Sequence, residues 1–422
     1  MSEGRRVVIT GLGSITPIGL NNLEYSKALR AGVSGGGLIT RFDTRDFDVK
    51  IACELKGFDP LNHMDKRLAI RTDPVTQYAI PAAREALFDA GLINSYNDQG
   101  LKEIINRQRV GVILGTGIGG IETIIEQTGV LIERGPGRVS PFTIPMLMPN
   151  AGAATIARIY NIQGGCESVN SACSSSNSAI AIAYDKIILG KVDVVISGGA
   201  EAPIDKLAVS AFENMHALTK KFNDNPSEAS RPFDKDRSGF VLGEGAGIVV
   251  LENLEHAQKR GARIYVELLG YGETNDAHDI VAPHPEGGGA AQAMKAAIND
   301  SGITTKDVNY INAHGTSTES GDRAETRAIK AVFGEQKPLV SSTKSMTGHL
   351  AGAAGVIELI AIVLGMKESF VPPNINYKTP DPECDLNFVP NTSLERRIDV
   401  ALSNSFGFGG HNVVLAVRRW EN

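Results

Sequence analysis

Cysteine is scarce in this chain: Cys53, Cys166, Cys173 and Cys384 are its four. Only Cys173 stands where a nucleophile would be useful. The stretch Asn170–Gly190, NSACSSSNSAIAIAYDKIILG, runs from the end of a strand pattern through serines into a helical pattern. Cys173 would therefore sit at a helix N-terminus. There the macrodipole and unpaired N–H groups favour a thiolate and lower the thiol pKa. The same N–H groups suit an oxyanion. Ala172, Ser174 and Ser175 are small and let a substrate approach, as at a nucleophile elbow. A lone cysteine is more often a buried structural residue, so partners decide the matter.

Two of the eight histidines supply them. His314, in YINAHGTSTESGD, follows a strand pattern and precedes a run of hydroxyls. His349, in SSTKSMTGHLAGAAG, precedes an Ala/Gly-rich helical stretch. One thiol and two imidazoles at strand exits make a nucleophile-plus-base constellation. A fourth strand exit, SNSFGFGGHN, carries Phe406 and Phe408 among glycines that allow backbone to approach a ligand closely. His63, His216, His256, His278, His284 and His411 lack such settings and are expected to be surface or structural. GTGIGG, Gly115 to Gly120, has the form of a dinucleotide fingerprint. It lacks the acidic strand end expected about 20 residues on, so an NAD-dependent oxidoreductase rests on this loop alone.

Alternating elements position these groups. RRVVITGLG, RVGVILGTG, CESVNSA, VDVVISGGAE and GAGIVVLE are apolar runs ending in Gly or small polar residues, the pattern of buried strands. DPVTQYAIPAAREALFDAGL and SSNSAIAIAYDKIILG are helical and close on Gly91 and Gly190. After about Gly261 the rhythm restarts with ARIYVELLGYGETND, GGAAQAMKAAINDSGI, VNYINAHGT, PLVSSTKS, VALSNSFGFGG and HNVVLAVRRW. The pattern predicts an α/β protein of two similar halves, residues 1–261 and 262–422. Lys220–Phe240 reads as a long surface loop of functional interest.

At 422 residues and 42% apolar content, the chain can bury two cores. A net charge of −6 with no basic arm argues against nucleic acid. No apolar stretch reaches the roughly 18 residues of a membrane span. The N-terminus carries no secretory pattern, and the cysteine spacing matches neither a zinc site nor a disulfide framework. Reduced thiols and a cytoplasmic location are expected.

In combination and in this order, SACSSS, NAHGTSTESGD, STKSMTGHLAGAAG and SNSFGFGG resemble the β-ketoacyl-[acyl carrier protein] synthases, specifically the elongating type II enzymes. The resemblance spans VVITGLGSITPIG to NSFGFGGHN. It implies a thiolase-like fold, two duplicated α/β halves in a five-layered αβαβα arrangement, and a homodimer. It implies decarboxylative condensation of malonyl thioester with an acyl chain held on Cys173. His314 and His349 would assist decarboxylation, with Lys344 and Glu325 as a supporting ion pair. Thr316 and Thr318 would hold the pantetheine arm. The N–H groups of Cys173 and Phe408 would form the oxyanion hole, with Phe408 as gate and Phe406 nearby. Ile118 would close the acyl pocket, and Thr143 stands where relatives often carry a second Phe at the dimer interface. His411 stands where Thr is frequent. No metal or redox cofactor is implied.

The implied partner is an acyl carrier protein, docked on Lys66, Arg67 and Arg71 of the MDKRLAIRTD helix and on Arg138, in a patch thinned by Ile70 and Thr72. A polyketide ketosynthase shares every motif and is the nearest rival. A thiolase would carry a second catalytic cysteine late in the chain. A priming synthase would pair its cysteine with His and Asn, and a chain-length partner would lack the cysteine.

Overall fold

The computed structural model describes residues 4–421. The first half runs β1 (Val7–Ile15), α1 (Pro74–Asp89), β2 (Val110–Gly115), α2 (Ala151–Tyr160), β3 (Cys166–Val169), α3 (Ser175–Ile188), β4 (Val194–Glu201) and β5 (Gly245–Asn253). The second repeats it: β6 (Val266–Asn275), α4 (Gly288–Asp300), β7 (Tyr310–Asn312), α5 (Glu319–Phe333), β8 (Leu339–Ser341), α6 (Ala354–Glu368), β9 (Val400–Gly407) and β10 (His411–Arg419).

Strand order is β8-β7-β9-β10-β6-β1-β5-β4-β2-β3. Within the first half, β1–β5 and β5–β4 are antiparallel, while β4–β2 and β2–β3 are parallel. The second half repeats this pattern with β6, β10, β9, β7 and β8. The duplication that no residue-level repeat reveals is therefore explicit in the pairing. The halves meet where Val7–Ile9 of β1 pairs with Val266–Leu268 of β6.

The layers follow from which helices are apolar all round. In α6, AGVIELIAIVLGMKE, every residue from Ala354 to Met366 is buried. A helix with no polar face must lie between two apolar surfaces. Accordingly α3 and α6 both pack against strands of both halves, whereas α1 and α2 cover the first sheet face and α4 the second. This is the duplicated, layered α/β architecture of the thiolase-like fold. α1 starts where the Asp73 side chain accepts from Val75 N and Pro74 takes the first helical position. Gly91 and Gly190, past α1 and α3, both have left-handed backbone, φ 68° and 69°.

Two expectations are corrected. Lys220–Phe240 stays at the surface only as far as Glu228: Ala229–Asp234 and Arg237 are buried, and Ser238–Phe240 reach the cavity that Cys173 lines. Arg231 pairs with Asp234 at 3.0 Å and Arg237 with Asp381 at 2.7 Å, which lets a charged segment run inside. The MDKRLAIRTD helix is a single turn, Lys66–Ala69, capped by Asp65. Arg71 lies beyond it, with its guanidinium 4.4 Å from the Phe142 ring centroid.

Candidate active site

Cys173 lies on a 3-10 turn, Ala172–Ser174, that leads into α3. Ala172 has φ 52°, an uncommon conformation for a residue with a side chain. The serines hold it there. Ser171 N donates to Ser175 Oγ at 3.0 Å, Ser175 Oγ to the Ala172 carbonyl at 2.6 Å, and Ser171 and Ser178 share a hydroxyl bond of 2.7 Å. Strand β9 presses against the same turn: a Cβ at Gly407 would stand 2.6 Å from the Ser171 carbonyl oxygen and 3.0 Å from Cys173 N, so only glycine fits there.

Cys173, His314, His349, Phe406 and Phe408 share one cavity of about 640 Å³, with Ile118, Thr316, Thr318 and Glu325 also on its wall. The imidazoles of His314 and His349 stand edge to face, centroids 5.4 Å apart at 86°. Phe240 packs on His349 at 5.3 Å and Phe406 on His314 at 5.6 Å. The Thr316 and Thr318 hydroxyls are 2.9 Å apart. Thr143 does not line this cavity; its hydroxyl donates to the Ser140 carbonyl at 2.7 Å.

Burial sets the protonation states. It pushes the Cys173 thiol up to about 11, against the nearby Lys344 charge and the backbone N–H of Phe408, which act downward. The expectation of a lowered thiol pKa at the helix N-terminus is thus reversed, because desolvation of the thiolate outweighs the local dipoles. Burial, reinforced by Lys344, holds both His314 and His349 well below the usual imidazole range, so both are neutral at pH 7.

The expected Lys344–Glu325 ion pair is also corrected. Lys344 pairs with Glu358 of α6, and its Nζ donates to the His314 carbonyl at 2.7 Å. Glu325 is otherwise engaged, accepting from His314 N at 2.9 Å, Gly315 N at 2.7 Å and Asn404 Nδ2 at 3.0 Å. The sequence carried a signal for Glu358: it is the one charge inside the apolar run of α6. His216 and His284, expected to be surface or structural, line the cavity as well, on loops whose meeting no local pattern announces. The GTGIGG loop offers no free N–H at Gly117 or Ile118, since both donate to the Glu201 carboxylate.

A thiol on an elbow beside two neutral imidazoles, inside a duplicated layered fold, defines an acyl-transferring condensing enzyme, and comparison with known proteins agrees. The family description "Beta-ketoacyl synthase, N-terminal domain" matches residues 4–257, and "Beta-ketoacyl synthase, C-terminal domain" matches residues 265–378. The chain belongs to the β-ketoacyl synthase family. It is 49% identical over 425 residues, covering all of both chains, to the 3-oxoacyl-[acyl-carrier-protein] synthase 2 of Staphylococcus aureus. Its fold matches the ishigamide ketosynthase/chain length factor with TM-score 0.90 at 36% identity, over 99% of this chain and all of that one. It also matches a type II polyketide ketosynthase solved with its acyl carrier protein, TM-score 0.91 at 33% identity, with the same coverage. No helix among the described residues is long and apolar enough to cross a membrane.

Proposed function

We propose that this enzyme is a 3-oxoacyl-[acyl carrier protein] synthase of fatty acid elongation, with Cys173 as acyl acceptor. The observation that carries this reading is the elbow thiol sharing one cavity with two neutral histidines. Identity to the 3-oxoacyl-[acyl-carrier-protein] synthase 2 of Staphylococcus aureus, at 49%, exceeds that to the polyketide ketosynthase solved with its carrier, at 33%. The polyketide reading uses the same residues and differs only in the chain loaded.

In the first half-reaction Cys173 Sγ attacks the acyl thioester carbonyl. A neutral imidazole takes the thiol proton as the S–C bond forms. The oxyanion is held by the N–H groups of Cys173 and Phe408, and the carrier leaves as its thiol. In the second, malonyl thioester binds with its carbonyl toward the imidazoles. Lys344 Nζ stands 3.4 Å from His314 Nδ1. An ammonium only donates, so Nδ1 is an acceptor and Nε2 carries the proton. That N–H, with one from His349, stabilises the enolate formed as the carboxylate leaves as carbon dioxide. The enolate carbon attacks the acyl group, expels Cys173, and yields a chain two carbons longer.

Ile118 closes the acyl end of the cavity and Phe408 gates the thiol. Thr316 and Thr318 bind the pantetheine arm. Lys66 and Arg67, both exposed, with Arg71 and Arg138, form the carrier's docking patch. The protein is read as a homodimer, supported by the exposed apolar side chains Ile132, Ile144 and Met148, with Thr143 beside them. The halves divide near Gly261, residues 1–261 and 262–422. Four free thiols suit a cytoplasmic location.

The test is incubation with acyl carrier thioester followed by peptide mass spectrometry. The adduct should sit on Cys173. Labelling of Cys53, Cys166 or Cys384 with Cys173 free overturns the assignment.

A further inference from the structure

The duplicated fold contains two elbows, and only one is open. Gly352 stands in the second half where Cys173 stands in the first. It is the middle residue of a 3-10 turn, Ala351–Ala353, that leads into α6, and Ala351 repeats the left-handed backbone of Ala172, at φ 42°. The strands facing the elbows also correspond. β9 ends on Gly407, beside Cys173 N, and its counterpart β4 ends on Glu201, beside Gly352 N. Where Gly407 leaves an N–H open to an oxyanion, Glu201 fills the equivalent place with a carboxylate.

That carboxylate is fully buried and held by four donors. Oε2 accepts from Gly352 N at 2.8 Å and Gly117 N at 2.6 Å, while Oε1 accepts from Thr116 Oγ1 at 3.0 Å and Ile118 N at 3.2 Å. No Lys, Arg or His forms an ion pair with it among the described residues. Burial raises the Glu201 carboxyl above the usual carboxylate range, and the four convergent donors act against that rise, toward the ionised form. The contact is tight: a Cβ on Gly352 would meet Gly117 N at 2.3 Å, and one on Gly117 would meet Glu201 Oε2 at 2.9 Å and the Ala172 carbonyl at 3.6 Å. Glu201 thereby locks the Thr116–Ile118 loop to the second elbow, and Asn170 Nδ2, just before Cys173, donates to the Gly117 carbonyl of that loop at 2.9 Å.

We propose that Glu201 is a positioning residue for condensation, an internal anion that plugs the second elbow and fixes the Gly117–Ile118 lip of the acyl channel against it. It touches no substrate. It acts through the depth of the acyl channel, which Ile118 sets, and through a fixed negative charge near Cys173, which opposes thiolate formation before substrate arrives. The role in chain length rests on the proposed acyl pocket; the effect on the thiol does not.

The test uses the full-length enzyme, its Glu201→Gln variant and its Thr116→Val variant. Two readouts are taken: iodoacetamide alkylation of Cys173 against pH, and kcat/KM for short and long acyl pantetheine thioesters. Glu201→Gln removes the charge and turns an amide against N–H donors. Alkylation at pH 7 should rise roughly threefold or more, and the long-to-short selectivity should change by about tenfold. Thr116→Val keeps the charge and removes one donor to Glu201 together with the acceptor of Gly119 N, so selectivity should move while the alkylation profile stays. A folded Glu201→Gln enzyme with wild-type selectivity and alkylation overturns the proposal. If that variant does not fold, wild-type selectivity in both Thr116→Val and Glu201→Asp overturns it. Failure of acyl labelling at Cys173 in the wild type would instead sink the active-site assignment, while the alkylation arm would still judge Glu201.

Discussion

The Lys344 ammonium lies against the Glu358 carboxylate inside the protein and from there reaches the His314 carbonyl at 2.7 Å. One buried cation thus acts on three reactive groups. It pushes both imidazoles further below their usual range and pulls the Cys173 thiol down from where burial alone would leave it.

Replacing Lys344 with Met should therefore move two pH limbs in the same direction. Without the ammonium the imidazoles protonate at higher pH, so the acid limb of carbon dioxide release from malonyl thioester shifts upward. The thiol also deprotonates at higher pH, so alkylation of Cys173 needs a more alkaline solution. Glu358, already raised to about 7, can lose its charge by protonation when its partner is gone. pH–rate profiles of both reactions check this, and an unmoved acid limb would disconnect Lys344 from the histidines.

On the proposed mechanism, His314→Ala and His349→Ala each remove one donor to the developing enolate. Such a donor contributes about 2.7–4 kcal/mol, so decarboxylation should drop about 10²-fold or more. Release of labelled carbon dioxide measures it directly. Acyl loading of Cys173 should survive in at least one of the two variants, because the oxyanion donors proposed for that step are backbone groups.

Gly407→Ala would place a methyl group 2.6 Å from the Ser171 carbonyl oxygen and 3.0 Å from Cys173 N, so the elbow must give way. On the proposed mechanism this misplaces the oxyanion N–H, and acyl transfer to Cys173 should fall about 10²–10³-fold. A small alkylating reagent forms no oxyanion, so alkylation should fall less. Equal losses in both assays would mean that Gly407 serves the placement of the thiol and not the oxyanion donor.

Lys66→Glu with Arg67→Glu should raise KM for carrier-bound substrate and flatten its salt dependence, because exposed rim charges act mainly on association. A pantetheine thioester without the carrier should be turned over as before. Arg71 is left out because its stacking on Phe142 gives it a second role, and its loss would mix packing with docking. A matching loss on both substrates would make the patch structural.

Much of the architecture was legible because it depends on short-range rules. Apolar runs with glycine at one end marked β1, β2, β4 and β5, and left-handed Gly91 and Gly190 follow α1 and α3 where those helices were expected to close. Small residues around Cys173 marked the elbow, and His314 and His349 stood out by their place at strand exits. The latter part of Lys220–Phe240 misled because its charges look solvated until their partners are known; Asp381, which pairs with Arg237, is far away in the chain.

By itself the sequence determined which segments become strands and helices, where the chain must turn, and which thiol and imidazoles stand at strand ends. Those properties follow from periodicity, glycine and side-chain size over a few neighbouring residues. The tertiary structure alone decided that Lys344 pairs with Glu358 and not Glu325, that Glu201 closes one elbow while Gly407 opens the other, and that the resting thiol is protonated. Ion pairing and desolvation depend on distances between residues remote in the chain and on the water removed around them. Neither quantity exists until the two halves close on α3 and α6.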